Sequence, residues 1–180
     1  MYGPVSAGTI ADRFNNPNSA IHLNGGYYML PNGVYFSGEL TVTVWVYVLS
    51  VSGWLRVFDF GNNYGGTISD DLSFYLAYEN TLNPGFVTWP PTNNLKSSIT
   101  INTSQWYHVA FMFKGTTASV YINGVLADQR TQPVPVNVMR TSNYVGKSLW
   151  ADPLANAIYD ELRIYNRALD VVEIIDIMSL

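Results

Sequence analysis

Short segments with the two-residue hydrophobic period of β-strands recur along this chain, and turn-forming residues separate them. The clearest is LTVTVWVYV at residues 40–48, where four valines alternate with threonine, tryptophan and tyrosine. That pattern predicts a strand with a buried face and an aromatic, partly solvated second face. The pair Asn123-Gly124 separates two further segments and suits a type I′ hairpin turn. The recurrence predicts an all-β fold, a two-sheet antiparallel sandwich or jelly roll.

Several turn and connection positions follow from the same reading. NGG at 24–26 is expected to end one strand, and GNNYGG at 61–66 is expected to be a loop. SSITI at 97–101 is expected to form a short strand, whereas the proline-restricted TQPVPVNV at 131–138 is expected to be an unpaired connection. Only ALDVVEIIDIM at 168–178 has helical spacing, and Asp170 is its expected N-cap.

The composition sets limits on size and partners. The chain has 180 residues, which suits one domain over 1–180, and its composition is 48% hydrophobic, 14% aromatic and 12% charged. The net charge is −4 and basic residues are scattered, so neither a nucleic acid nor an anionic membrane surface is an expected partner. No apolar run reaches the length of a membrane-spanning helix. The absence of cysteine excludes disulfides and thiolate zinc sites.

The segment AIYDELRIY raises a question about one carboxylate. A strict two-residue period places Asp160 on the same face as Ile158, Leu162 and Ile164, with Tyr159 on the other face. A carboxylate on a core-facing side must be paired or protonated. Its partners could be backbone N–H groups of a neighbouring turn, or a calcium ion, which prefers oxygen ligands.

Four segments carry a resemblance to a known family. SAIHLNGGYYMLP, LTVTVWVYV, WYHVAFMFKGTTASVYINGVL and NYVGKS with IYDELRIYNRALDVVEI follow one another in the chain. Together they resemble the laminin G-like jelly rolls of the concanavalin A-like lectin/glucanase superfamily. The resemblance implies an extracellular or cell-surface protein, although no signal peptide is visible before residue 20. Further domains of a longer chain are then expected neighbours.

The resemblance also implies a calcium ion between the strand that carries Asp160 and the opening segment. Where the family often has Asp-Gly, this chain has Asn24-Gly25, whose amide oxygen can bind calcium without adding charge. Asp152 in WADPL is a third expected ligand. Calcium would then be a structural cofactor.

An enzyme is not expected from the carboxylates. Glycosidases of this superfamily place carboxylates at alternate positions on one strand, and the sequence has no such triplet. Its acidic pairs, Asp70-Asp71 and Asp160-Glu161, are adjacent and would point to opposite faces of a regular strand. Asp70-Asp71 is interpreted as a turn and solubility feature at a loop edge.

Loop aromatics and amides predict a carbohydrate-binding surface instead, for a glycan or a glycoprotein. The expected ligand-binding residues are Trp54, Tyr64, Trp89, Trp150, Asn62, Asn63 and Asn93. Aromatic rings suit the apolar faces of sugars, and amides suit their hydroxyls. Three alternatives stay open at this point. The rings could cap the ends of the sandwich, the loops could contact protein in an adhesion or spacer module, or Asp70 and Asp71 could serve an unusual glycosidase.

Overall fold

The computed structural model describes residues 2–36, 38–89 and 93–180. Within these ranges the secondary-structure elements are as follows. They are β1 Tyr2–Ile10, β2 Ala20–Leu30, β3 Leu40–Val48, β4 Leu55–Tyr64, β5 Thr67–Ala77, β6 Gly85–Trp89, β7 Asn93–Lys96, β8 Trp106–Lys114, β9 Thr117–Ile122, β10 Val125–Thr131, β11 Ser142–Val145, β12 Ala155–Tyr165 and α1 Val171–Ile177. No helix of the described ranges is long and apolar enough to cross a membrane.

The strands pair antiparallel along one path that folds over itself into two layers. The order is β10-β9-β8-β3-β12-β2-β11-β4-β5-β6-β7, and β1 also pairs with β2. Across the interior, the rings of Phe74 and Phe111 lie 4.7 Å apart, and those of Phe86 and Phe113 lie 4.8 Å apart. The strands from β10 to β2 therefore form a front layer, and those from β11 to β7 form a back layer. The predicted jelly-roll sandwich is confirmed.

The core lies between the layers and is built by the alternation that the sequence displays. Val42, Val44, Val46 and Val48 of β3 are all completely buried. Opposite them, the aromatic rings of Phe36, Phe58, Phe60 and Phe74 form a contiguous cluster. The second face of β3 carries the half-buried Trp45 and Tyr47, as its pattern predicts.

Three local predictions are confirmed. Asn123 and Gly124 have φ values of 49° and 77° and join β9 to β10 in a two-residue turn. Asp170 caps α1 and forms a capping box with Glu173. Of the predicted connection 131–138, Thr131 belongs to β10, and residues 132–138 form no strand and connect β10 to the back layer.

Three other local predictions are wrong, each because a strand begins or ends elsewhere. β2 continues through NGG, and Gly25, with φ 61°, lies inside it. The GNNYGG loop shrinks to Gly65-Gly66, with φ 60° and 93°, because β4 and β5 extend to either side of it. SSITI forms no strand, and β7 lies just before it at Asn93–Lys96.

The predicted faces of β12 are also wrong. Ala157 and Tyr159 point into the core, and Tyr159 Oη donates a 2.6 Å hydrogen bond to the Arg56 carbonyl across the interior. Asp160 lies on the outer face. Pairing with β3 shifts register between Asp160 and Arg163, where Glu161 has φ 51°. This β-bulge reverses the alternation, so Leu162 returns to the core side and a strict two-residue period fails.

Candidate functional site

The outer face of the back layer carries polar and aromatic side chains instead of a plain solvated surface. Along β4, β5 and β6, Asp59 pairs with Ser73 and Ser73 with Val87, while Asp71 pairs with Trp89. These residues alternate with core residues such as Phe58, Leu72 and Phe86 and therefore point away from the core. Loops 146–154 and 132–141 lie over this face.

Three of the tryptophans predicted from the sequence meet on this face. They line a cavity of about 320 Å³, here called the tryptophan cleft, whose walls are Trp54, Arg56, Val87, Trp89, Trp150 and Asp152. Trp54 precedes β4, Trp89 ends β6, and Trp150 and Asp152 come from the loop before β12. Trp89 is 42% exposed and Trp150 is 38% exposed, so both rings are accessible to a ligand.

Packing fixes the orientation of Trp54. The Trp54 ring lies 5.1 Å from the Tyr75 ring and 4.4 Å from the Tyr78 ring, measured between centroids. The Arg56 guanidinium stacks on it, with Cζ 4.3 Å from the ring centroid. Arg56 Nη2 in turn donates a 2.8 Å hydrogen bond to Asp152 Oδ2. The cleft wall is therefore ordered before any ligand arrives.

The loop that carries Trp150 is anchored to the buried Asp59. Asp59 Oδ2 accepts hydrogen bonds from Ser148 Oγ at 3.0 Å and from the Leu149 N–H at 3.1 Å. The Trp150 N–H donates to Ser148 Oγ at 3.1 Å. Gly61 permits this approach, since a Cβ there would lie only 2.8 Å from Leu149 Cδ1. Asp59 therefore positions Trp150 at the rim of the cleft.

A second buried carboxyl group lies beside Asp59. Burial and the neighbouring Asp59, with which it shares a hydrogen bond, raise the pKa of Asp71 well above its usual range. Arg56 Nε lies 3.6 Å from Asp59 Oδ2, and Arg56 and Arg140 both act on Asp71 in the opposite direction. The protonated form of Asp71, which can donate to Asp59, is therefore favoured, and Arg56 lies beside the two carboxyl groups.

The Asp70-Asp71 interpretation needs correction. Both residues lie inside β5, and Asp71 is buried, so the pair is not a turn at a loop edge. Asp70 has φ 55° and accepts hydrogen bonds from Asn62 and Ser69. The two side chains thus have different neighbours: Asp70 contacts Asn62 and Ser69, and Asp71 lies beside Asp59.

The remaining predicted ligand residues are not gathered in the tryptophan cleft. Asn62 is buried, and its side chain bonds to Asp70, the Met139 carbonyl and Thr141, which occupies its donors and acceptors. Asn63 is exposed and lines a separate polar cavity with Trp150. Tyr64 is 65% exposed beside the hairpin turn. The side chain of Asn93 lies outside the described residues.

The Asp160 carboxylate has a guanidinium partner. Arg13, from the segment between β1 and β2, forms a buried ion pair with Asp160, and both side chains are less than one-tenth exposed. The Arg13 guanidinium also stacks against Phe14 and Trp45, with Cζ at 4.3 and 5.0 Å from the ring centroids. Burial and the nearby Arg13 charge lower the pKa of His108 to about 4, so this ring is neutral at pH 7.

The three residues expected to bind calcium do not form one donor set. Asn24 is exposed and lies opposite Asn156, which is four residues from Asp160 along β12, or about 13 Å. Asp152 lies on the other layer and pairs with Arg56. Among the residues described, no three His, Cys, Asp or Glu side chains cluster as a metal site requires. Calcium binding stays a prediction, and this arrangement does not fit it.

A thermal melt tests the calcium prediction directly. Because Asp160 is already paired with Arg13, we expect the same melting temperature in excess calcium and in chelator. A bound ion at one hundred times its dissociation constant would add about 2.7 kcal/mol of stability. A melting temperature that rises with calcium and falls with chelator would contradict this expectation and place a site elsewhere in the chain.

Sequence reasoning missed the charged network beneath the cleft. Arg56 and Asp59 interrupt the apolar strand LRVFDF, and that interruption was the available signal. Charged residues in an otherwise buried strand need partners, which here come from Asp71 and from the loop with Asp152.

The two-layer jelly-roll sandwich places the protein in the concanavalin A-like class of β-sandwich domains. The chain belongs to the Concanavalin A-like lectin/glucanases superfamily, because the Laminin_G_3 family model matches residues 23–175. The resemblance read from the sequence is thereby confirmed. No curated protein shows significant sequence similarity to the chain.

Solved structures share this fold. Domain 4 of AbnA, a GH43 extracellular arabinanase from Geobacillus stearothermophilus in complex with arabinotriose, has 28% identity and a TM-score of 0.71, over 88% of this chain and 75% of that one. The binding domain of Paraclostridial Mosquitocidal Protein 1 has 16% identity and a TM-score of 0.66, over 97% and 46%. Trypanosoma rangeli sialidase has 18% identity and a TM-score of 0.62, over 89% and 27%. The last two similarities concern the fold alone.

Proposed function

We propose that this domain is a non-catalytic carbohydrate-binding module of an extracellular or cell-surface protein. The tryptophan cleft is its binding site. The observation that carries the proposal is the meeting of Trp54, Trp89 and Trp150 around one cavity, because flat rings pack against the apolar faces of sugars. Domain 4 of the arabinanase, bound to arabinotriose and similar over most of this chain, supports the proposal.

The charges around the cleft favour a neutral oligosaccharide. Arg56, the guanidinium in its wall, lies between the carboxylates of Asp59 and Asp152. Its charge is therefore balanced within the protein, and an acidic sugar would have to compete with Asp152 for it. Sugar hydroxyls can instead donate to the outer oxygens of Asp152, whose side chain is 21% exposed.

The carboxyl geometry supports binding without hydrolysis. Glycosidases hold two carboxyl groups roughly 5–9.5 Å apart, on either side of one glycosidic bond. Asp59 and Asp71 are hydrogen-bonded to each other and buried, so a sugar cannot pass between them. At the cleft, Asp152 is already paired with Arg56.

Alanine substitutions in the cleft are expected to abolish most of the binding. Trp54→Ala, Trp89→Ala and Trp150→Ala should each weaken sugar binding at least about tenfold, because each removes an aromatic ring that contacts the bound sugar. Calorimetry with arabinotriose, xylotriose, cellotriose and maltotriose measures this effect. Trp106→Ala is the matched control, because this half-buried ring packs on Tyr47 in the front layer, away from the cleft.

The same samples separate the alternatives. If none of the four trisaccharides and no glycan of a broad array binds the wild-type protein, while a protein partner is captured, the lectin proposal is wrong and the interaction-domain alternative holds. Release of shorter sugars, lost in Asp70→Ala or Asp71→Ala, would identify a glycosidase instead. Loss of binding in Trp106→Ala to the same extent as in Trp89→Ala would also count against the cleft.

A further inference from the structure

A second cavity adjoins the tryptophan cleft and shares one tryptophan with it. We call it the proline pocket. It measures about 220 Å³ and lies between β5, β6 and the connection 133–136. Trp89 lines both cavities, so they adjoin each other at this residue. Pro133, Val134, Pro135 and Val136 line the pocket, and its charged residues are Asp70, Asp71 and Arg140.

The buried polar atoms of this pocket lack sufficient protein partners. Asp71 is 3% exposed, and neither of its oxygens receives a hydrogen bond from an N–H or hydroxyl group of the described residues. Arg140 is 1% exposed; its Nε donates to the Asp70 carbonyl at 2.8 Å, whereas its Nη1 has no acceptor among those residues. An acceptor and a donor left unmatched in a pocket are each destabilising, and a bound polar group would relieve this.

The chemistry of the pocket identifies the class of group that fits. A hydroxyl donates and accepts at once, so hydroxyls can satisfy both the Asp71 carboxyl and the Arg140 guanidinium. The proline and valine side chains and Trp89, which also line the pocket, offer apolar contacts for the apolar face of a sugar ring. A sugar unit has both properties. Because the pocket adjoins the tryptophan cleft, the sugar that fits it is the next unit of the oligosaccharide bound in that cleft.

We propose that the proline pocket is a second sugar subsite, so that the domain binds an oligosaccharide lying across Trp89 and recognises more than one sugar unit. This inference rests on the proposed function. Asp71 and Arg140 bind hydroxyls of the sugar in the pocket, and Trp89 contacts both units. Affinity therefore depends on ligand length, and the pocket contributes only when the ligand is long enough to enter it.

The test compares ligand length with two independent changes of the pocket. The probes are the trisaccharide of the four above that binds the wild-type protein most tightly, and its monosaccharide. Wild type should bind the trisaccharide at least about tenfold more tightly than the monosaccharide. Asp71→Leu removes both carboxyl oxygens and keeps a side chain of similar size, and Val134→Trp fills the pocket from the connection. Both should reduce that ratio to about threefold or less by weakening trisaccharide binding, with monosaccharide binding unchanged.

Controls separate this inference from the proposed function. Val125→Trp adds the same bulk at an exposed residue of the β9–β10 hairpin, in the front layer and outside both cavities, and should leave the ratio unchanged. Thermal melts identify a variant that has lost its fold. If one pocket variant is unfolded, the other one tests the second subsite. If Trp54→Ala abolishes binding while Asp71→Leu and Val134→Trp bind the trisaccharide as wild type does, only the second subsite is overturned. If wild type binds none of the four trisaccharides and no glycan of the broad array, both proposals fall.

Discussion

Replacing Arg56 by methionine is expected to lower the free energy of unfolding by about 3–5 kcal/mol. The guanidinium is 4% exposed and lies beside Asp59 and Asp152. Methionine keeps the length of the side chain and much of its packing against Trp54, but it removes the positive charge. Asp59, which is completely buried, would then share its site with Asp71 without a compensating cation.

Urea denaturation at pH 7 measures this change, and a surface pair supplies the control. Arg163 forms an ion pair with Glu161, and both side chains are about one-third exposed. Arg163→Met should therefore change stability by less than about 1 kcal/mol. Adding Asp59→Asn to Arg56→Met should restore part of the loss, since the unmatched charge is then gone. A loss no greater in Arg56→Met than in Arg163→Met would show that Arg56 does not stabilise the buried carboxyl groups.

This network joins the stability of the back layer to the shape of the cleft. Asp59 holds Ser148 and the Leu149 N–H, and Arg56 holds Asp152, so the loop that carries Trp150 is fixed from two sides. A substitution at Asp59 or Arg56 is therefore expected to displace the Trp150 ring in the tryptophan cleft. Arg56→Met should weaken sugar binding as well as stability, whereas Arg163→Met should affect neither.

The sequence was sufficient for the fold because the signals that build it are local. The valines of β3 alternate as predicted, and Asn123-Gly124 forms the expected hairpin turn. The capping box of α1 is formed by residues three positions apart. Each of these features depends on neighbours in the chain, so a single sequence contains the information.

The failures have a common physical cause in long-range pairing. The β-bulge at Glu161 exists because β12 must match β3, and it shifts every side chain beyond it to the other face. β2 passes through Asn24-Gly25 because partner strands hold it on both sides. A turn-forming pair cannot end a strand that its neighbours hold in place, and those neighbours are distant in sequence.

The residues of the candidate site divide in the same way, into those predicted from local sequence and those that depend on contacts between distant parts of the chain. Trp54, Trp89 and Trp150 were identified because each stands beside turn-forming residues and outside the alternating core pattern, although Trp89 proves to be the last residue of β6. Asp71 was misread because its burial depends on Asp59 in β4 and on residues 133–136, which no local pattern reveals. Asp160 was recognised as a carboxylate that needs a partner, but that partner, Arg13, lies 147 positions away.

The second large effect is expected in the pH dependence of stability. Burial and the neighbouring Asp59 raise the pKa of Asp71 above the ordinary aspartate value of 3.8, which it regains on unfolding. Between these two values the native protein keeps a proton that the unfolded chain has lost. Stability from this group is complete below about pH 3.8 and falls as pH rises, by about 1.4 kcal/mol per pH unit, until pH reaches the native pKa.

Asp71→Asn should remove that slope. Asparagine does not titrate and can donate to Asp59, so the variant keeps the hydrogen bond that the shared proton provides. The free energy of unfolding of Asp71→Asn, relative to wild type, should therefore rise steadily with pH above about pH 4 and become constant above the native pKa. Urea denaturation from pH 4 to pH 9 measures it, and the exposed Asp176→Asn is the control for loss of one charge. A difference that falls with rising pH would mean that Arg56 and Arg140 stabilise an ionised Asp71 and outweigh the effect of burial.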